Sequence, residues 1–168
     1  ELKGIILDLR SNPGGLLNES IDIVNLFIEK GEEIVTTKGK IKDWEKTYKT
    51  KHTAIDTETP LIVLINGSSA SASEIVSGSI QDLDRGVIIG KRSYGKGLVQ
   101  QTRKLPYNSQ LKVTVAKYYI PSGRCIQALD YSKKNIKYSG EEIDKFIVWL
   151  EENNDEGIGY ERLNSKLD

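Results

Sequence analysis

The chain has 168 residues, of which 38% are hydrophobic and 29% are charged, and its 24 basic and 24 acidic side chains cancel to a formal net charge of zero. A chain of this length can bury an apolar core without covalent staples, so we expect one globular domain, and the balanced charge lacks the electrostatic footprint of a nucleic-acid-binding protein. Cys125 is the only cysteine, which excludes an internal disulfide, a Cys-based zinc site and an iron–sulfur cluster.

Apolar runs such as residues 61–65 are far shorter than the roughly 20 residues that a membrane-spanning helix needs, so we expect no membrane contact from this segment. The chain begins with Glu1 and contains no methionine. We therefore expect it to be a piece of a longer protein, in which any signal peptide or anchor would precede residue 1.

The first predicted elements are a strand, a glycine turn and a helix. Residues 4–9 are typical of a strand, and the sequence Asn-Pro-Gly-Gly at 12–15 ends it. Residues 16–29 carry apolar side chains at spacings of three and four, which predicts one buried helix face. That face is made of Leu17, Ile21, Val24, Phe27 and Ile28.

The middle of the chain predicts a second unit of strand, turn and helix. Residues 33–37 read as a strand, and the lysine-rich stretch 38–59 reads as a solvated excursion or a hairpin. The continuous apolar run 61–65 is typical of a strand buried on both faces of a parallel sheet. A helix is predicted to follow from about residue 72 to residue 83.

The later elements predict a buried strand and a hairpin. We expect residues 87–89 to form the strand. Residues 98–105 are predicted to pair with residues 111–116 across a turn at 106–109. The two earlier units of strand, turn and helix act as crossover connections, and together with this hairpin they indicate the mixed α/β class.

The end of the chain carries a weaker pattern. Residues 121–124 predict a turn, and 141–152 predict an amphipathic helix with Ile143, Phe146, Ile147 and Leu150 on one face. Residues 140–168 contain nine acidic and three basic side chains, which we interpret as a solvated acidic surface.

Three segments of small or polar residues follow the predicted strands, at 8–15, 67–74 and 90–100. Because ligands collect at the carboxyl ends of strands in open α/β sheets, these segments are the candidate sites.

The second of these segments contains four serines, at 68, 69, 71 and 73. A serine between a buried strand and a helix presents its hydroxyl at the sheet edge, where free N–H groups of the first helical turn can bind an oxyanion. Ser71 and Glu74 fit a capping box equally well, and spacing alone does not rank the four serines.

A serine nucleophile needs a base. His52 is the only histidine, and a Ser-His-Asp arrangement would require its polar excursion to fold back. Lys96, between two glycines, is the better candidate for a Ser-Lys dyad, with Gln100 able to orient its amine. A lysine acts as a base only when it has lost its proton, so we expect Lys96 to be drawn out of water against the sheet; the alternative is an exposed turn lysine.

Two further interpretations of the glycine turns remain open. Residues 90–96 fit most of a phosphate loop, but Gly97 replaces the hydroxyl residue that would hold magnesium and a strand is predicted to follow. In the turn at 12–15, a backbone N–H could be a second oxyanion donor, while a simple tight turn explains the glycines equally well.

Three motifs match one family in order and spacing: G-I-I-L-D-L-R-S-N-P-G-G at 4–15, S-A-S-A-S-E-I-V at 69–76 and Y-G-K-G-L-V-Q at 94–100. They resemble the carboxy-terminal processing, or tail-specific, serine peptidases of the S41-like, Ser-Lys dyad type. The segment Y-Y-I-P-S-G-R at 118–124 is also similar to that family, and the resemblance covers roughly residues 3–129.

The resemblance assigns roles to five residues. It implies that Ser71 is the nucleophile, Lys96 the general base and Gln100 its partner, with the backbone N–H groups of Gly15 and Ala72 forming the oxyanion hole. The family usually carries three glycines in the first motif, and proline occupies the first of those positions here, at residue 13. Because proline removes only its own N–H, Gly15 can still donate.

For the whole chain, the resemblance implies a crotonase/Clp-protease-like α/β core with a mixed sheet and crossover helices at residues 1–129. The late hairpin falls within this core, and residues 130–168 would form an acidic, partly helical tail. The family's upstream PDZ domain is absent from this sequence. The implied substrates are proteins or peptides with exposed C-termini, cleaved in the periplasm or another exported compartment without metal or cofactor.

We therefore expect an endopeptidase core that cleaves poorly as an isolated piece. The alternatives are a non-catalytic module that binds a peptide or an acyl group, and nucleotide hydrolysis at the glycine loop.

Overall fold

The computed structural model of the chain describes residues 2–42 and 45–128. The predicted helix at 141–152 and the acidic tail lie outside these residues.

The parallel strands form a three-stranded sheet in the order β1-β4-β5, made of β1 (Ile5–Asp8), β4 (Leu61–Ile65) and β5 (Val87–Gly90). The apolar run of β4 lies in the centre, as its composition predicts. Because parallel strands need long connections, β4 and β5 are joined through the helix α2 (Ala72–Asp82). The carboxyl ends of β1 and β4 lie side by side, with Asp8 opposite Leu64.

The antiparallel strands form a four-stranded sheet in the order β3-β2-β7-β6. Its members are β2 (Glu33–Gly39), β3 (Lys46–Lys49), β6 (Leu98–Lys104) and β7 (Gln110–Tyr119). The late hairpin is therefore present, with a register shift between Val99 and Gln100. The mixed α/β class is confirmed, and the parallel and antiparallel strands lie in two sheets.

The core lies around α2 and the first helix, α1 (Leu17–Asn25), which pack against each other. Helix α2 also contacts β2 and β5, and the Ser79 hydroxyl donates to the Ile34 carbonyl of β2 at 3.0 Å. Because α2 touches both sheets, its buried residues connect them. The fully buried apolar side chains include Val24, Ile34, Val35, Val63, Ile75 and Ile80.

Helix α1 is shorter than its periodicity predicts, because Asn25 ends it. The Asn25 amide donates to the carbonyls of Ile28 and His52, and its oxygen accepts the N–H groups of Lys51 and His52. Residues 26–28 form a turn, although Ile28 remains buried as the helical pattern indicates. The Asn25 side chain thus anchors the polar excursion. Strands β2 and β3 pair in antiparallel orientation, which is the hairpin predicted as one alternative for residues 38–59.

No helix in the described ranges is long and apolar enough to cross a bilayer.

Candidate active site

The turns that follow β1 and β4 are joined by hydrogen bonds between polar side chains and main-chain groups. The Ser69 hydroxyl, fully buried, donates to the Leu9 carbonyl at 2.7 Å and accepts the Asn66 N–H at 2.9 Å. The Asn66 side-chain oxygen accepts the Ser11 N–H at 2.9 Å, and the Ala70 N–H donates to the Asn12 carbonyl at 3.0 Å. The two turns therefore form one rigid unit at the carboxyl ends of adjacent parallel strands.

Ser71 caps the N-terminus of α2 in a strained conformation. Its φ of 57° and ψ of −116° lie in a region that side-chain-bearing residues rarely adopt. A serine on such a strand-to-helix turn is half-buried and projects at the head of the helix, as a nucleophile requires. The neighbouring serines differ, because Ser69 and Ser73 are buried and Ser68 lies on the exposed turn.

The first glycine turn packs directly against Ser71. Gly14 has a φ of +91°, and a Cβ added there would lie 2.9 Å from the Ser71 Cβ and 2.7 Å from the Ala72 nitrogen. Gly15 follows in open space. Within the described part of the chain, the N–H groups of Gly15 and Ala72 donate to no other residue. Two unpaired donors therefore flank the serine, one of them in the first turn of α2, where the helix dipole favours negative charge.

A pocket of about 150 Å³ adjoins these two N–H groups. Its walls are mostly apolar, which fits it for a small apolar side chain. The apolar lining residues are Leu9, Leu16, Ile23, Ala72 and Val76.

The backbone of the segment carrying Lys96 is fixed beside the serine turn. The buried carboxylate of Glu74 accepts the N–H groups of Ser71 and Lys96, each at 2.8 Å, and that of Gly95 at 2.6 Å. The capping box predicted for Ser71 and Glu74 is therefore present, and the Glu74 side chain also reaches the lysine segment. The Tyr94 N–H donates to the Ser69 carbonyl at 3.0 Å, which adds a second connection.

The side chain of Lys96 differs from its predicted placement. Lys96 is exposed, and no hydrogen bond joins its amine to the Ser71 hydroxyl, both groups lying in described residues. Gln100, on the exposed part of β6, donates to the Thr114 hydroxyl at 3.4 Å. The fold thus brings the backbone of Lys96 to Ser71, while the expected withdrawal of its amine from water is not present in this conformation.

The two rival arrangements predicted for these turns are not assembled. His52 is held through its main chain by Asn25, at the opposite end of α1 from Gly15. The glycine loop before Lys96 leads into the strand β6 rather than a helix, and the N–H groups of Gly95 and Lys96 are already bound by Glu74. These N–H groups are therefore unavailable to a phosphate.

The charged groups at the end of β1 form a local pair. The Arg10 guanidinium lies 2.7 Å from the Asp8 carboxylate, and the Arg10 N–H also donates to it at 3.0 Å. These hydrogen bonds lower the pKa of Asp8 from 3.8 to about 2 and raise the pKa of Arg10. Asp8 is therefore a charged anchor for the turn rather than a proton donor near neutral pH.

The order of the three motifs agrees with a comparison to known families. The model of peptidase family S41 matches residues 1–135. The chain belongs to peptidase family S41. Its described α/β core is correspondingly similar to solved S41 structures.

Relatives of this S41 chain include two proteins with processing functions in their names. A carboxy-terminal-processing protease of Bartonella bacilliformis is 50% identical over 129 residues, which cover 77% of this chain and 30% of the relative. A chloroplastic C-terminal processing peptidase of Tetradesmus obliquus is 37% identical over 130 residues, which cover 77% of this chain and 27% of the relative. The chain thus spans less than a third of the length of these curated relatives.

Among solved structures, a photosystem II D1 C-terminal processing protease matches this S41 chain with a TM-score of 0.69 and 36% identity. The match covers 75% of this chain and 32% of that structure. A crystal structure of mature CPAF, with 16% identity and a TM-score of 0.61, shares the fold.

Two features of the candidate site are missed by sequence reasoning. The sequence pattern predicts Glu74 only as a helix cap, because its contacts with Gly95 and Lys96 span 21 and 22 residues. Gln127, whose side-chain oxygen accepts the Gly97 N–H at 2.8 Å, carries no local signal because its partner lies 30 residues away. Only the fold brings these groups together.

Proposed function

We propose that residues 1–129 are the catalytic core of a serine endopeptidase that cleaves proteins near their C-termini through a Ser71–Lys96 dyad. Membership of family S41 and the names of the processing-protease relatives support this function. Residues 130–168 would be a separate acidic tail.

The observation that carries the proposal is the pair of unpaired N–H groups at Gly15 and Ala72, which flank a strained Ser71 at the head of α2. Such donors stabilise the negative charge that develops on a carbonyl oxygen during acyl transfer. A simple tight turn would need neither donor to remain unpaired. The proximity of Gly14 to the Ser71 Cβ further supports a function for this turn.

The proposed reaction begins when neutral Lys96 takes the proton of the Ser71 hydroxyl and the serine oxygen attacks a peptide carbonyl. The N–H groups of Gly15 and Ala72 hold the resulting oxyanion. Lys96 then returns the proton to the departing amine as the peptide bond breaks, which leaves an acyl-enzyme on Ser71. Water that loses a proton to Lys96 releases the acyl group.

Before it can act, the Lys96 amine must move from solvent to Ser71. Its backbone is already fixed by Glu74, so the movement we propose is a side-chain rotation rather than a rearrangement of the loop. Exclusion of water by a bound substrate would favour the neutral amine. Gln100, four residues later and at the start of the exposed part of β6, would orient that amine.

The substrates we propose are proteins or peptides with exposed C-termini, because two relatives are named as C-terminal processing proteases. The apolar pocket beside the oxyanion donors would take a small apolar side chain next to the cleaved bond. We infer an exported location from the family resemblance, which detection of the mature protein in a periplasmic or secreted fraction would test.

The exposed Lys96 amine supports one alternative, a module that binds a peptide or acyl group without turnover. A fluorophosphonate probe distinguishes the two functions because it phosphonylates activated serines. We expect labelling at Ser71, located by mass spectrometry, with a rate that falls by about 100-fold or more in Lys96→Ala.

Ser68→Ala removes an exposed serine from the same turn and serves as the matched control, with labelling unchanged. Ser71→Ala should abolish labelling. Equal rates with and without Lys96 would rule out the dyad and leave the binding module as the better interpretation.

A further inference from the structure

The segment 95–97 is held on one side by a buried carboxylate. Glu74 is 4% exposed, and its two oxygens accept three main-chain N–H groups, those of Ser71, Gly95 and Lys96. No cation pairs with Glu74 among residues 2–42 and 45–128, so these N–H groups and the N-terminus of α2 provide the stabilisation that its charge requires. Hydrogen bonds to an ionised acceptor are about twice as strong as neutral ones.

The opposite side of the same segment is held by residues 127 and 128. The Gln127 side-chain oxygen accepts the Gly97 N–H at 2.8 Å, and the Ala128 N–H donates to the Gly95 carbonyl at 3.1 Å. The contact is close, because a Cβ at Gly95 would collide with Ala128 and one at Gly97 would collide with the Gln127 backbone. The two glycines therefore allow the chain to pass between Glu74 and residues 127–128.

We propose that Glu74 and Gln127 are positioning residues that together form a two-sided clamp, fixing the Cα of Lys96 relative to Ser71. The inference rests on the proposed Ser-Lys function. Glu74 connects the amides of the nucleophile and the base directly, so neither residue can shift without loss of a charge-assisted hydrogen bond. The clamp fixes the position of the Lys96 Cα and leaves the Lys96 side chain able to rotate.

The clamp predicts a rate loss when either acceptor is removed. A displacement of about 1 Å in a catalytic group can cost roughly 100-fold in rate. We therefore expect Gln127→Ala to slow phosphonylation of Ser71 by about tenfold to a hundredfold. Gln127→Glu keeps an acceptor oxygen for the Gly97 N–H and should restore most of the rate.

The variant Glu74→Gln tests the contacts that Glu74 makes with the segment 95–97. A glutamine offers one acceptor oxygen, and its NH₂ group would face an N–H donor of Ser71, Gly95 or Lys96. We expect a larger loss than in Gln127→Ala. Matched controls are Gln101→Ala on exposed β6 and Glu58→Gln in the exposed segment before β4, which should leave the rate unchanged.

A double-mutant cycle separates positioning from general damage to the fold. If the clamp acts through Lys96, Gln127→Ala should slow labelling in the unmodified chain and have no further effect in Lys96→Ala. A merely structural role would lower the rate in both backgrounds. An equal loss in both backgrounds, or no loss in either, would overturn the clamp.

Amide hydrogen exchange gives a readout that does not depend on labelling. We expect slow exchange at Gly95, Lys96 and Gly97 in the unmodified chain, with Glu74→Gln accelerating the first two and Gln127→Ala the third. Unchanged exchange in both variants would overturn the clamp and leave the proposed function intact. Labelling that is independent of Lys96 would instead overturn the proposed function, and with it the catalytic part of the clamp.

Discussion

Gly14 lies in close contact with Ser71 and Ala72 in the serine turn. An alanine there would place its Cβ 2.5 Å from the Ala70 carbonyl oxygen and 2.7 Å from the Ala72 nitrogen, at a φ of +91°. We predict that Gly14→Ala displaces the Gly15 N–H from Ser71 and sharply reduces fluorophosphonate labelling.

Gly31→Ala is the matched control, because Gly31 also has a positive φ, +98°, but faces open space. Backbone strain alone should cost this control about 1–2 kcal/mol of unfolding free energy and leave labelling unchanged. The collision should make Gly14→Ala less stable by about 1–3 kcal/mol more. Equal stability and equal labelling in the two variants would show that Gly14 does not pack against Ser71 in solution.

Asp8 should give the fold a measurable dependence on acidic pH. Its pKa is lowered from 3.8 to about 2 by hydrogen bonds from Arg10, so its charged form stabilises the folded state above the usual pKa. This stabilisation is lost as the pH falls from 3.8 through about 2. Asp8→Asn removes the titrating group and should reduce the loss of unfolding free energy in that window.

Urea unfolding of both proteins between pH 5 and pH 2 provides the measurement. Other carboxylates titrate in both proteins, so the difference between the two curves isolates Asp8. Parallel curves for the two proteins would contradict the pairing of Asp8 with Arg10.

At the scale of elements, the buried Ser69 hydroxyl connects the ends of β1 and β4. Its removal in Ser69→Ala would leave the Asn66 N–H without a hydrogen-bond partner, whereas the Leu9 carbonyl would still accept the Asn12 N–H at 3.2 Å. Because unsatisfied buried groups cost about 1–3 kcal/mol, we predict a loss of that size in unfolding free energy.

The exposed Ser109 makes a comparable bond to the Pro106 carbonyl at 2.7 Å in the hairpin turn. Ser109→Ala should change the unfolding free energy by less than about 0.5 kcal/mol. Chemical denaturation of both variants tests the difference, and equal losses would mean that burial of the Ser69 bond carries no additional stability.

Hydrophobic pattern and turn residues predict most elements of this fold, because β4 and α2 carry local signals of strand and helix. The pattern fails at the end of α1, where Asn25 bonds to a segment more than 20 residues away and stops the helix. The pattern also does not decide whether the polar excursion is a solvated loop or a hairpin, because β3 contains mostly polar side chains and is fixed by pairing with β2. Such long-range contacts have no local signature.

The candidate site likewise combines features that the sequence predicts with features that depend on long-range contacts. Motif order predicts the proximity of Ser71, Gly15 and Ala72, because all three follow the carboxyl ends of parallel strands. The position of the Lys96 amine depends on rotatable side-chain bonds and on what excludes water, which neither spacing nor motif encodes. Gln127 and the second role of Glu74 arise only from the folded chain.

At the scale of the whole molecule, the chain spans less than a third of its curated relatives. The described core nevertheless contains the turn of the proposed nucleophile, both proposed oxyanion donors and the backbone of the proposed base. We therefore propose that this chain already forms the rigid part of the site, and that the orientation of the Lys96 side chain depends on whether a substrate occupies the site.

A crystal structure of the chain with Ser71 modified by a peptidyl phosphonate tests this claim most directly. We predict a phosphonyl oxygen within about 2.7–3.1 Å of the Gly15 and Ala72 nitrogens, and the Lys96 amine within about 3.2 Å of the Ser71 oxygen. An adduct whose phosphonyl oxygen contacts neither N–H group, with the Lys96 amine still in solvent, would contradict the account.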